Sequence, residues 1–238
     1  MSRIDKWYPG FKRGFFPVLH YKSAKDTVRN ILLAEDVGAA GVFFINQGIN
    51  DRIFEDFVNN CCKLGFINRN FIGVNFLNKE PYETIRSIPC VNALWADHAH
   101  SESYYKMREI NDKFSDFNFT GPYFGGVAFK YTRQVDLTGD KLVSAIEEAK
   151  PYVNIITTSG EATGSAPDVN KIKLFRDILG EDHALAIASG ITVDNVDLFL
   201  PYADCFLVAS GIEKEFGVLD PVKTKALADK IFDYKSWG

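Results

Sequence analysis

Short runs rich in Val, Ile and Phe alternate with longer amphipathic stretches along the whole chain, and that alternation restricts it to folds built from repeated βα units. Eight runs read as strands, over residues 15–20, 41–46, 71–76, 91–96, 123–130, 152–158, 184–188 and 204–209. Each is followed by a segment that opens as a helix, near Ser23, Asp51, Pro81, Ser101, Thr138, Asp168, Thr192 and Pro221. Most of these residues cap a helix or suit its first turn. Thr192-Val-Asp-Asn-Val196 also puts Asp194 and Asn195 where a first turn favours negative charge and polar acceptors. Eight units in 238 residues match the usual size of a closed (β/α)8 barrel. No GxGxxG loop follows the first strand, as a doubly wound dinucleotide fold would require. Periodicity leaves an open eight-stranded α/β sheet as the alternative. The expectation is therefore an α/β single-domain TIM barrel over residues 1–238, with residues 1–14 ahead of the first strand.

Composition narrows the function classes. Lys and Arg number 27 against 31 for Asp and Glu, so the net charge of −4 gives no broad attraction to nucleic acid or to an anionic membrane. Twenty Phe and ten Tyr point to a core built on aromatic rings. Cys61, Cys62, Cys90 and Cys205 form no CxxC pair and no zinc-type spacing, and read as reduced thiols of a cytoplasmic protein, Cys205 as core. The first fourteen residues carry Arg3, Asp5, Lys6, Lys12 and Arg13 without an apolar run, so neither a signal peptide nor a membrane span is expected.

In a barrel of this kind the chemistry sits where loops leave the C-terminal ends of the strands. Ala188-Ser-Gly-Ile-Thr192 and Ala209-Ser-Gly-Ile212 close the last two strands. Their glycines let backbone N–H groups approach an anion, so Ser189, Gly190, Ser210 and Gly211, with a short helix N-terminus after the eighth strand, are candidates to bind phosphate. Tight turns alone are the bland alternative. The polar loop of residues 157–168 reads as a lid, with Thr158, Ser159 and Gly160 as substrate contacts and Glu161 as an acid or base. Asp168 serves equally as a helix cap. His20 suits proton transfer or a satisfied core position, Asp97 suits proton transfer, and Asn46 and Asn75 suit hydroxyl or base contacts. Lys130 pairs with an anion, forms an imine, or extends to water. Asp97-His-Ala-His100 invites a metal reading, but no third histidine follows on later strands, so no metal and no cofactor are assigned.

Three of these segments resemble the BtpA family, which includes a photosystem I biogenesis protein and the SgcQ-type proteins. Thr158-Ser-Gly-Glu-Ala-Thr-Gly-Ser-Ala-Pro-Asp168 is similar to its T-G-x-x-T-G-x-x-P-D loop, Ser189-Gly-Ile-Thr-Val-Asp-Asn-Val196 to its S-G-V-T-x-x-N-V, and Asp204-Cys-Phe-Leu-Val-Ala-Ser210 to its D-G-x-I-V-G-[ST]. Val18-Leu-His20, Gly73-Val-Asn-Phe-Leu-Asn78 and Phe129-Lys130 extend the resemblance, whereas Ile45, Gly126 and Ala128 stand where the family commonly carries acidic residues and a His. The resemblance implies a barrel of the ribulose-phosphate-binding type and a phosphorylated small-molecule ligand, a sugar phosphate or ribonucleotide. Isomerisation, or cleavage or transfer of a glycosidic bond, is the expected chemistry. The alternative is a non-catalytic, BtpA-like biogenesis or assembly factor using its outer helices, with Phe54, Phe57, Tyr104 and Tyr105 as a candidate patch. A homo-oligomer stays open.

Overall fold

The computed structural model describes residues 2–63, 71–132 and 138–234. Eight strands pair in chain order into a closed parallel barrel: β1 (Gly14–His20), β2 (Gly41–Ile45), β3 (Phe71–Asn75), β4 (Ala93–Ala96), β5 (Tyr123–Gly126), β6 (Ile155–Thr158), β7 (Ala184–Ile187) and β8 (Cys205–Val208). β1 completes the ring, with Val18 opposite Phe43 of β2 and Pro17 opposite Val208 of β8. Closure covers both faces of every strand, which is why the strands read as near-continuous apolar runs. The open-sheet alternative is excluded.

Alternate residues turn into the barrel. Phe16, Phe43 and Phe124 meet edge to face there, with ring centroids 5.0 to 5.8 Å apart. A Cβ on Gly73 would stand 2.3 Å from the Phe43 ring, so the missing side chain on β3 is what admits that ring. The intervening residues, such as Phe15, Phe44 and Leu185, face outward and bury against the helices. Those helices are α1 (Ala24–Asp36), α2 (Asp51–Lys63), α3 (Pro81–Ser87), α4 (Tyr104–Asp116), α5 (Gly139–Ala149), α6 (Val169–Leu179) and α7 (Pro221–Asp233). On α2 the buried residues Phe54, Val58 and Cys61 recur at four and three positions, the stripe that a core-facing helix needs.

Residues ahead of β1 are part of the core. Ile4 and Tyr8 are buried in the inner cluster, the Tyr8 ring 5.1 Å from Phe16, near where the strands begin. Arg176 of α6 and Arg3 lie 2.6 and 2.9 Å from the Asp204 carboxylate, which also accepts the Leu185 N–H. No helix among the described residues is long and apolar enough to cross a membrane.

Four expectations need correction. β5 ends at Gly126, four residues before Lys130, because Ala128 takes a left-handed φ of 47° and turns the chain off the ladder. Only a 3-10 turn, Val196–Leu198, follows β7, because the Asn195 side chain reaches back to the Thr192 N–H and the Gly190 carbonyl in place of a first helical turn. After β8 no short helix forms. A hairpin, β9 (Glu213–Glu215) with β10 (Val218–Leu219), takes its place, turning at Gly217 with φ 74°. Cys62 on α2 and Cys90 after α3 are joined in a disulfide, since the fold lays these sequence-distant segments side by side, so two of the expected thiols are not free. Cys61 and Cys205 are free and buried.

Candidate active site

At the C-terminal mouth of the barrel a cavity of about 50 Å³ is bordered by His20, Gln47, Trp95 and Lys130 on one side and by Thr163, Gly164, Ser189, Gly190, Ser210 and Gly211 on the other. β1 delivers His20, whose Nδ1 lies 3.0 Å from Glu213 Oε1 and whose Nε2 lies 3.2 Å from the Gln47 amide. Glu213 comes from the hairpin after β8, and the same oxygen accepts the Gly217 N–H at 3.0 Å. His20 and Glu213 side chains are each only 9% exposed, so the pair meets with little water to weaken it. Phe216, on the hairpin turn, lies over the His20 ring at 4.4 Å and is half exposed. With Nδ1–H donating to Glu213, Nε2, beside the Gln47 side-chain oxygen, is the nitrogen left for proton transfer at the mouth.

Lys130 brings an amine into the same cavity, 5.8 Å from the centre of the Phe129 ring. Among the described residues its Nζ has no hydrogen-bond or ion-pair partner. Burial pushes its pKa below the ordinary lysine value, against the opposing charge of Asp97. Burial in turn raises the Asp97 carboxyl, opposed by the Asn75 amide, which donates to it at 2.8 Å, and by Lys130. Trp95, 6% exposed, has a buried Nε1–H with no acceptor among the described residues.

The opposite wall is built by the loops after β6, β7 and β8. The Ser189 hydroxyl donates to the Ala162 and Ser165 carbonyls, 2.9 Å from each. Gly190, at φ 62°, presses so close to this loop that a Cβ would stand 2.1 Å from the Ala166 nitrogen. The loop is thus folded down onto the strand 7 turn, with Gly164 brought beside Ser210. The amides of Gly164, Gly190, Ser210 and Gly211 have no protein acceptor among the described residues. Four free N–H dipoles around one pocket are a place for an anion and need no net positive charge.

Of the residues singled out from the sequence, His20, Lys130, Ser189, Gly190, Ser210 and Gly211 meet at this cavity. Asn75 and Asp97 border a neighbouring cavity of about 370 Å³. Asn46 is buried between Asp51, which takes its amide N–H at 3.0 Å, and the Leu77 N–H, which it accepts at 2.8 Å. Thr158 donates to the Ala128 carbonyl at 3.2 Å, and Ser159 Oγ accepts the Lys130 N–H at 2.8 Å, so both fasten the Lys130 turn to β6. Gly160 and Glu161 line a separate cavity of about 680 Å³ beside α5 and α6. Asp168 caps α6, accepting the Asn170 N–H at 2.6 Å. Sequence reasoning missed Glu213, Phe216, Thr163, Trp95 and Lys171, whose Nζ donates to the Ala128 and Ser159 carbonyls at 2.6 and 2.9 Å. Near the first two the one turn signal is the glycine in Glu213-Lys-Glu-Phe-Gly217-Val, and the charged run before it shows no strand alternation.

No protein-family model and no curated protein sequence matches the chain, so membership of the BtpA family is not shown. Solved structures match over nearly the whole fold. Phosphoribosyl anthranilate isomerase from Thermus thermophilus superposes with a TM-score of 0.65 at 17% identity, covering 92% of this chain and 98% of its own. Thiamine phosphate pyrophosphorylase from Pyrococcus furiosus gives 0.65 at 10% identity, over 92% and 95% of the two chains. A structure described as native KDPGal gives 0.63 at 12% identity, over 90% and 91%. At these identities the likeness carries the architecture alone, a single-domain α/β barrel that this chain shares with them.

Proposed function

We propose that this barrel is an enzyme acting on a small phosphorylated molecule, a sugar phosphate or ribonucleotide, by proton transfer at its mouth. The observation that carries the reading is the convergence of unpartnered amides at Gly164, Gly190, Ser210 and Gly211 on the cavity that also holds the His20–Glu213 pair. The amides take the phosphate, together with the Ser210 hydroxyl. His20, oriented by Glu213, removes a proton from a carbon beside a carbonyl, and Lys130 faces the oxygen on which negative charge develops. Return of that proton from His20 to the adjacent carbon, with a proton passing between the two oxygens, completes an isomerisation and restores the neutral ring. Glycosidic cleavage has weaker support, because Glu161 lines a different cavity. The folded-down loop leaves a cavity smaller than a sugar phosphate, so it opens for entry and closes over the ligand. The names of the structural neighbours include two phosphorylated compounds, which agrees with a phosphorylated ligand here.

The test is proton NMR in D2O with ribose 5-phosphate and a panel of ribonucleotides. The reading expects deuterium to enter one carbon-bound position of one compound. His20→Asn abolishes it, and Glu213→Gln slows it about 10²–10⁴-fold, the usual worth of a positioned acid–base group. Exchange that persists unchanged in His20→Asn would overturn the assignment of His20, and binding without exchange or turnover would move the weight to an assembly role.

A further inference from the structure

The Asp97-His-Ala-His100 segment lacked a third ligand in the sequence, and the fold supplies it. His98 Nε2 lies 3.0 Å from Glu102 Oε1, and His100 Nδ1 lies 3.9 Å from the same oxygen. His100 Nε2 is 3.4 Å from Glu80 Oε2, a carboxylate delivered from a different loop, just ahead of α3. The two imidazole rings are 4.5 Å apart, and one ligand atom from each of His98, His100 and Glu102 lies within 4.8 Å of the others. His98, His100 and Glu80 border the 370 Å³ cavity next to the mouth, so the cluster opens onto space that can hold a further ligand.

We propose that His98, His100 and Glu102 form a binding site for a divalent transition-metal ion, with Glu80 holding the other ring nitrogen of His100 from outside the ligand shell. Two imidazoles with a carboxylate favour Zn²⁺, Co²⁺ or Ni²⁺ over Mg²⁺ and Ca²⁺, which prefer all-oxygen shells. Glu102, with Glu80 behind His100, balances the charge of the ion. Lys106 lies 3.3 Å from Glu80 Oε1, so Oε2 is the oxygen that orients His100. The site is separate from the phosphate corner and stands or falls independently of the proposed reaction.

The test uses the untagged full chain, stripped with EDTA, titrated with ZnCl2 and CoCl2 by calorimetry and by visible absorption. The expected result is one ion per chain, Co²⁺ bands of a low-coordinate site, and no heat with MgCl2 or CaCl2. His98→Ala/His100→Ala abolishes binding, Glu80→Gln weakens it about tenfold, and His20→Asn leaves it unchanged. No stoichiometric binding by the unmodified chain overturns the proposal and leaves a hydrogen-bonded cluster only. Equal binding by the folded double variant also overturns it. If the double variant does not fold, Glu102→Gln decides: altered Co²⁺ bands support the site, and an unchanged spectrum contradicts it.

Discussion

Lys130 shows how much a single position owes to its surroundings. Its side chain is drawn into the mouth by a turn that Thr158, Ser159 and Lys171 hold through backbone carbonyls and amides. Burial disfavours the ammonium, so the folded chain binds that proton less tightly than the unfolded one. Stability therefore rises with pH between the lowered folded pKa and the ordinary lysine value, and the cost of the buried charge is greatest below that window. Lys130→Met is expected to raise Tm at neutral pH, and the gain to shrink as pH rises toward 10, read by thermal unfolding across pH. A gain independent of pH would mean that the charge carries no cost. His20, Lys130 and the two Ser-Gly pairs, which border one cavity, were legible as single residues because each closes an apolar run in the sequence, although for Lys130 that run outlasts the strand. Asn46, Thr158 and Ser159 looked the same from the sequence, and only their partners reveal them as braces.

Among the elements, the loop between β6 and α6 depends on Gly190 more than on its own residues. With φ at 62° and no room for a Cβ against Ser165 and Ala166, Gly190→Ala must displace the loop. The expected cost is about 1–3 kcal/mol, or roughly 3–10 °C in Tm for a chain of this length, with faster proteolysis within residues 160–166. An unchanged Tm and cleavage rate would mean that the loop is not held in this position. Strand boundaries were legible where apolar runs ended in polar residues, as at His20. They failed at β5, where Val127, Ala128 and Phe129 prolong the apolar run and only the left-handed turn at Ala128 ends the ladder. The hairpin after β8 was missed because its strands are three and two residues long, too short to set a period.

For the whole molecule, eight alternations predicted a closed barrel, and closure put residues from five separate segments, His20, Lys130, Thr163-Gly164, Ser189-Gly190 and Ser210-Gly211, on one rim. Pairings across the chain were beyond sequence reasoning: Glu213 beside His20 depends on β1 closing against β8, while Glu80 beside His100 and Cys62 joined to Cys90 depend on how neighbouring βα units pack. The central claim is that the rim after β6, β7 and β8 binds phosphate. The most direct measurement is thermal unfolding with inorganic phosphate, ribose 5-phosphate and ribonucleotides, for the unmodified chain and for Ser189→Ala/Ser210→Ala. One phosphorylated compound at 100 times its Kd is expected to add about 2.7 kcal/mol, or roughly 5–10 °C in Tm, and the double variant, which lacks the Ser210 hydroxyl and the Ser189 bonds that hold the Gly164 loop, to keep only part of that shift. No shift with any phosphorylated compound, or an equal shift in the double variant, would contradict the claim.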